Sequence, residues 1–371
     1  MIKSIRKDLF TVESIQAMEP GYAVLKTSLP EIENPFLRTI LVAERALTGP
    51  TKTKDWFDTI VDADLFCSIT DGDVGFINQR SQIRTVLSQN ANHNTVLVTE
   101  QCDNLCKFCS QPPKKIDDEW LMVQAAMAVC AYQTDAAVGI SGGEPTLKRQ
   151  QFINFLKTIQ TYSSQTPLHV LTNGRSFSDV SFVNSVYDAT KGMNVTFGIP
   201  IYAIDCDVHD ELVGANGAFK DTLKGLINAG NTGLNIELRV IPTRDNLDNL
   251  AGVIELAVRC LSNIAQVSVM NLEPTGWAKK NWSELYVDPR EYQEVLRNAL
   301  SVANIASLPI KLFNYPLCHL DEDNRKYAVK SISDWKNYYP EECESCILKP
   351  ECSGYFTSSK GKYHQIARRL L

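Results

Sequence analysis

The sequence predicts an α/β protein in which six strand–helix units follow one another around a parallel sheet. From about Asn94 onward, short β-rich runs alternate with segments whose apolar residues recur at helical spacing. The strand runs are mostly apolar, as expected when both faces of a parallel sheet are covered. With 371 residues and an apolar share of 44%, the chain can supply two or three domains and a sizeable core.

In chain order the strands read Thr95 to Thr99, Ala136 to Ile140, Leu168 to Thr172, Val195 to Ile201, Ile236 to Ile241 and Gln266 to Leu272. Helical spacing marks Glu119 to Tyr132, Gln150 to Ile159, Phe219 to Ala229 and Leu247 to Leu261. Such an array either closes into a barrel or winds as an open sheet, and both place ligands at the C-terminal ends of the strands. That rule selects Glu100 to Gln111, Ser141 to Leu147, Asn173 to Arg175, Tyr202 to Asp210, Pro242 to Asp245 and Glu273 to Trp277, where polar, Gly and Cys residues collect.

Two further domains flank this core of residues 94–287. Residues 1–93 form a small β-containing N-terminal domain, with β-rich runs at Leu65 to Thr70, Val74 to Ile77 and Ile83 to Leu87 and a hairpin-type turn at Asp71-Gly72-Asp73. Residues 288–371 begin with a helical stretch to about Ala303, continue through an extended run from Ile310 to Tyr315, and end in a loop-rich region that needs a staple.

The formal charge is −6 and the Lys and Arg residues are scattered, which argues against nucleic acid as a partner. No apolar run approaches the roughly 20 residues that span a bilayer. Met1 to Pro30 has no uninterrupted apolar stretch of the signal-peptide kind. The expectation is a cytoplasmic protein without a membrane partner. In that reducing compartment, eleven cysteines point to metal or redox chemistry rather than to disulfides. Cys130 and Cys260 at apolar helix positions, and Cys67 in a strand-like run, read as core, while Cys206 reads as a loop residue in a helix-capping cluster.

Cys102, Cys106 and Cys109 place three thiolates within eight residues, directly after a strand. Thiolates suit iron–sulfur clusters and zinc. Structural zinc wants four ligands, whereas three leave one iron of a cubane cluster open. The spacing C-x3-C-x2-C, with Phe108 before the last cysteine, resembles the signature of radical S-adenosylmethionine (SAM) enzymes. The resemblance implies a partial (β/α)6 TIM barrel, a SAM-binding [4Fe-4S] cluster on these cysteines, and a 5′-deoxyadenosyl radical that abstracts hydrogen from an unactivated carbon. No acid–base triad is visible, and this chemistry needs none.

Gly142-Gly143-Glu144-Pro145 is similar to the family's GGEP motif. Its glycines allow close backbone approach to a ligand, and Glu144 would pair with the SAM ammonium. Asn173, in Leu171-Thr172-Asn173-Gly174, is either a ribose contact or an ordinary turn residue. Arg239 needs a partner if buried, either the SAM carboxylate or Glu237 on the same strand face. Asn271 and Leu272 match the position that supports adenine in the family. Pro200-Ile201-Tyr202 departs from relatives that carry a small hydroxyl residue there, and Tyr202 reads as packing.

Cys318, Cys343, Cys346 and Cys352 offer the full complement of one cubane cluster or of one zinc. Their order resembles the auxiliary-cluster (SPASM and Twitch) extensions of radical SAM peptide maturases, which implies a second, auxiliary [4Fe-4S] cluster. His319 beside them reads as an exposed loop residue. Asn94 to Cys102, Cys109-Ser-Gln-Pro-Pro113 and Ser331-Ile-Ser-Asp-Trp335 look like the C-type maturase of the His-Xaa-Ser peptide system. That likeness implies a ribosomally made precursor peptide as substrate, an external electron donor such as flavodoxin or ferredoxin, and a leader-binding role for residues 1–93. The alternatives are radical SAM chemistry on a small molecule or another protein, and a metal-stapled binding module without SAM.

Overall fold

The computed structural model describes residues 3–7, 39–44, 59–61, 63–77, 82–132, 134–333, 335–363 and 365–370. Its main element is a parallel sheet built from β6 (Asn94–Leu97), β7 (Val138–Ser141), β8 (Leu168–Leu171), β9 (Val195–Pro200), β10 (Asn235–Val240) and β11 (Ile264–Met270), each hydrogen-bonded to the next. These are the six predicted strands, displaced by a residue or two at their ends. The sheet then continues through β12 (Ile310–Phe313) and β13 (Ala328–Val329), both parallel, to eight strands. The run expected as part of the tail is therefore a seventh strand, reached through the helix Gln293–Ile305 as a further crossover. The sheet does not close, since β6 and β13 are its free edges. It is a partial barrel.

The two faces of these strands differ more than their apolar composition suggested. Val138, Ile140, Leu168, Val170, Phe197, Ile199, Leu238 and Val267 are buried in one continuous core with the surrounding helices. The alternate positions include Gly139, Ser141, His169, Gly198 and Arg239, and they face the barrel interior at the period of two that a strand imposes. Inside, Glu237 accepts hydrogen bonds from Arg239 Nη1 at 3.1 Å and contacts His169 Nε2. Burial raises the Glu237 carboxyl, but His169 and Arg239 outweigh it and hold the group at about 2.

A second sheet has the order β3 (Thr59–Val61), β2 (Thr39–Glu44), β1 (Lys3–Lys7), β4 (Val74–Ile77) and β5 (Ile83–Leu87). Of the three β-rich runs, β4 and β5 form an antiparallel pair, so the hairpin does not turn at Asp71-Gly72-Asp73. The run Leu65 to Thr70 lies largely in a short helix, Ala63–Ser68, with Asp64 in the first turn where an acidic side chain favours a helix start. Val74 and Leu87 join the same core as the barrel. The Tyr132 hydroxyl, at the end of helix Glu119–Ala131, donates to Ser88 O at 3.0 Å and receives Asn94 Nδ2 at 3.0 Å.

Among the isolated cysteines, Cys130 is fully buried in the core as expected, whereas Cys67 and Cys260 are exposed. Cys67 sits on the short helix, and Cys260 is the last residue of helix Leu250–Cys260, where the apolar stripe has turned toward solvent. Among the described residues, no helix is long and apolar enough to cross a membrane.

Candidate active site

At the C-terminal ends of the barrel strands lies a cavity of about 880 Å³. Cys102, Cys106, Phe108, Cys109, Gly142, Gly143, Glu144, Asn173, Tyr202, Arg239, Asn271 and Leu272 all line it. These residues come from the cysteine loop and from the ends of five different strands, and the fold brings them to one mouth.

The cysteine loop is clamped from four directions. The end of β7 receives it through Gly143 N to Thr99 O at 2.8 Å and Glu144 N to Gln101 O at 2.7 Å. A Cβ on Gly142 would lie 2.4 Å from Thr99 O, and one on Gly143 2.0 Å from Gln101 O. The close approach that requires these two glycines is thus to the loop's own backbone. The helix Cys206–Val213 offers Val213 O to Leu105 N at 2.8 Å and Leu212 O to Lys107 N at 2.9 Å. From a third side Trp277 N donates to Cys109 O, and Asn281 Nδ2 to Lys107 O, each at 2.8 Å. From the end of β8, Arg175 Nη1 donates to Asp103 O at 3.1 Å and Asn104 Oδ1 at 3.0 Å, and Asn173 Nδ2 donates to Asp103 Oδ1 at 2.7 Å.

Glu144 is 1% exposed, and its carboxylate already serves the loops. Oε1 accepts from Thr146 N, Thr146 Oγ1 and Thr172 Oγ1, while Oε2 accepts from Asn173 N at 2.6 Å. Burial raises its proton affinity, and these donors oppose the rise. Arg239 Nη1 pairs with Glu237 Oε2 at 3.1 Å. Phe108 packs edge-on to Tyr202 with ring centroids 4.7 Å apart, which makes both part of a small apolar cluster with Leu272. Tyr202 N in turn donates to His209 Nδ1, and burial pushes the His209 imidazole down to about 4.

Three residues that the sequence reading did not single out belong here. Asp118 is buried and accepts from Thr99 Oγ1 at 2.9 Å and Glu100 N at 2.5 Å, while Asp103 and Arg175 pin the loop as described. Asp117-Asp118-Glu119 carries only the signal of an acidic helix start, and the contact that matters spans nineteen residues.

Burial pushes the Cys102 thiol up to about 12 and raises Cys106 and Cys109 as well. A cation is what turns such thiols into thiolates at neutral pH. Among the described residues, the only trio of metal-type ligand atoms within 4.8 Å of one another is exposed Asp205-Cys206-Asp207, where Asp205 caps its own helix. Cys102, Cys106 and Cys109 all open onto the same cavity.

The four tail cysteines are also brought together, around a space lined by Leu317, Tyr339, Leu348 and Tyr355. Leu317 N and Gly354 N point at Cys352 Sγ at 3.3 and 3.4 Å, and the Tyr355 hydroxyl lies 3.1 Å from Cys318 Sγ. Burial, reinforced by the other three thiols, pushes Cys343 up to about 11. His319 is 1% exposed rather than a loop residue in solvent. Its Nε2 reaches Ile366 O at 3.0 Å, because the last described residues fold back over it.

The structure thus sets three thiols of one loop at the mouth of a partial parallel barrel, beside a cavity large enough for a nucleotide-sized ligand. Residues 96–257 match the model of the radical SAM superfamily. The family implies a [4Fe-4S] cluster and SAM. The chain is 28% identical over 169 residues to GTP 3',8-cyclase of Campylobacter jejuni (strain RM1221), covering 43% of this chain and 48% of that one. It is 23% identical over 222 residues to PqqA peptide cyclase of Rhizobium meliloti (strain 1021), covering 59% and 56%. It spans about half the length of these curated relatives. Streptococcus suis SuiB bound to S-adenosylmethionine superposes with a TM-score of 0.43 at 16% identity, over 59% of this chain and 46% of that one.

Proposed function

We propose that this protein is a radical SAM enzyme that modifies a ribosomally made precursor peptide, of the His-Xaa-Ser type that its subfamily motifs resemble. The observation that carries the reading is the shared cavity: three thiols of one loop open onto the same space as Gly142, Gly143, Glu144, Asn173, Arg239 and Leu272. When bound there, the reduced cluster and SAM supply a 5′-deoxyadenosyl radical that abstracts hydrogen from the substrate.

The chain's own residues bind, orient and exclude water. Cys102, Cys106 and Cys109 hold the cluster. Glu144 Oε2, which accepts a single N–H from Asn173, has capacity for the ammonium of the methionine end. Arg239, anchored on Glu237, presents a fixed positive charge for the carboxylate. Asn173 would hold the ribose and Leu272 the adenine, while the Phe108–Tyr202 pair seals the loop's apolar side. Cys318, Cys343, Cys346 and Cys352 would hold an auxiliary [4Fe-4S] cluster, which would serve electron transfer or structure. An external donor of the flavodoxin or ferredoxin kind supplies electrons.

The peptide reading draws support from the PqqA peptide cyclase likeness and from the breadth of the mouth, which runs from Thr85, Val86 and His93 on one side to Ser333, Trp335 and Lys336 on the other. The GTP 3',8-cyclase likeness favours a second reading, a small-molecule substrate. Co-expression with a His-Xaa-Ser precursor followed by mass spectrometry tests the choice. A changed peptide mass is expected. Release of 5′-deoxyadenosine with the peptide unaltered would overturn the peptide reading, and zinc at both cysteine groups without SAM cleavage would overturn both.

A further inference from the structure

The tail cysteines carry an asymmetry that their number alone does not predict. Cys352 Sγ receives two backbone N–H groups, whereas Cys318 Sγ faces a side-chain hydroxyl, Tyr355 Oη, at 3.1 Å. Tyr355 is 2% exposed, so water does not satisfy this hydroxyl. Its second neighbour is His319 Nε2 at 3.2 Å. That nitrogen also lies 3.0 Å from Ile366 O, which can only accept, so Nε2 carries the proton. A protonated Nε2 cannot take a proton from Tyr355. The one proton on Nε2 is taken by Ile366 O, so the Tyr355 hydroxyl, which cannot donate to His319, aims its own hydrogen at Cys318 Sγ.

We propose that Tyr355 sets the reduction potential of the tail centre by donating this hydrogen bond to the Cys318 thiolate, with His319 fixing its direction. The proposal rests on the reading of that centre as a [4Fe-4S] cluster. Reduction adds negative charge that is shared with the ligating sulfurs, so a donor on one of them stabilises the reduced state and raises the potential. Tyr355 acts through Cys318 and is a positioning residue.

The test uses the full chain with Cys102, Cys106 and Cys109 changed to Ala, so that only the tail centre remains, reconstituted anaerobically and titrated electrochemically with detection by electron paramagnetic resonance. The parent should hold about four irons. Tyr355→Phe should titrate at a lower potential, shifting the reduced-to-oxidised ratio about tenfold at fixed ambient potential, which is about 59 mV for a one-electron couple. Tyr339→Phe is the control, because its hydroxyl donates to Cys352 O at 2.7 Å and not to sulfur, and its midpoint should match the parent. If Tyr355→Phe fails to retain iron, His319→Gln should give a smaller shift of the same sign. A Tyr355→Phe midpoint equal to the parent, or an equal shift in Tyr339→Phe, would overturn the proposal. A parent without iron would instead sink the cluster reading on which it stands.

Discussion

The two cysteine groups solve opposite problems with the same side chain. Cys102, Cys106 and Cys109 lie on one short loop that cannot hold itself, and it is fixed by β7, the end of β8, the helix Cys206–Val213 and the Trp277 segment. Beside them is a cavity of about 880 Å³. Cys318, Cys343, Cys346 and Cys352 are spread over 35 residues and close on one another around a space of about 10 Å³. The difference teaches that the open site is held from outside by a scaffold of hydrogen bonds, whereas the tail thiols are packed against one another.

Removing one thiol from each group should break this comparison most visibly. Cys109→Ala should reduce 5′-deoxyadenosine release to background, while Cys346→Ala should still cleave SAM measurably but lose peptide product. Chromatography of the nucleoside beside mass spectrometry of the peptide reads both, and equal loss of SAM cleavage in the two variants would contradict the division of labour.

A smaller effect should follow from alanine at one glycine in each region. Gly143→Ala drives a Cβ into Gln101 backbone and should cost about 1–3 kcal/mol together with iron from the mouth site. Gly361→Ala in the tail meets nothing within 4 Å and bears only the strain of φ +81°, so about 1 kcal/mol is expected. Calorimetric melting of the metal-free chains would rank them, and a reversed order would argue against external clamping.

The mildest contrast concerns acid. Glu237 is held at about 2 inside the barrel, so its contribution is present above the ordinary carboxyl value and is lost as pH falls through the folded one. The stability margin of the wild type over Glu237→Gln should therefore narrow from about pH 5 toward pH 2. A margin that stayed constant over that range in thermal melts would remove the buried ionic layer from the account.

The barrel was legible because its signals are local. Each strand carries its own apolar run, and Cys102, Gly143 and Asn173 fall in the segments that follow strand ends, whereas Arg239 and Leu272 lie within the predicted strands and were singled out by the family resemblance. The strand Ile310–Phe313 was legible as extended chain but not as part of this sheet, because its membership depends on a partner forty residues earlier. Arg175, Asp103 and Asp118 were missed for the same reason: a polar residue in a loop has no periodicity, and its partner is defined only after folding. His319 looked exposed because nothing in its neighbours shows that Ile366 returns to cover it.

One segment joins the two centres. The chain leaves the sheet at Val329, lends Ser333, Trp335 and Lys336 to the cavity wall, and enters the tail's antiparallel pair at Asn337. It is fastened at both ends: Ser331 bonds Asn314 and Ser353, Lys336 pairs with Glu273 at 3.2 Å, and Thr357 N donates to Lys336 O at 2.6 Å. The wall of the mouth is in effect a span resting on two abutments, one of them the thiol knot. Were the tail thiols not gathered, that span would be anchored on one side only, and the entrance would lose stiffness.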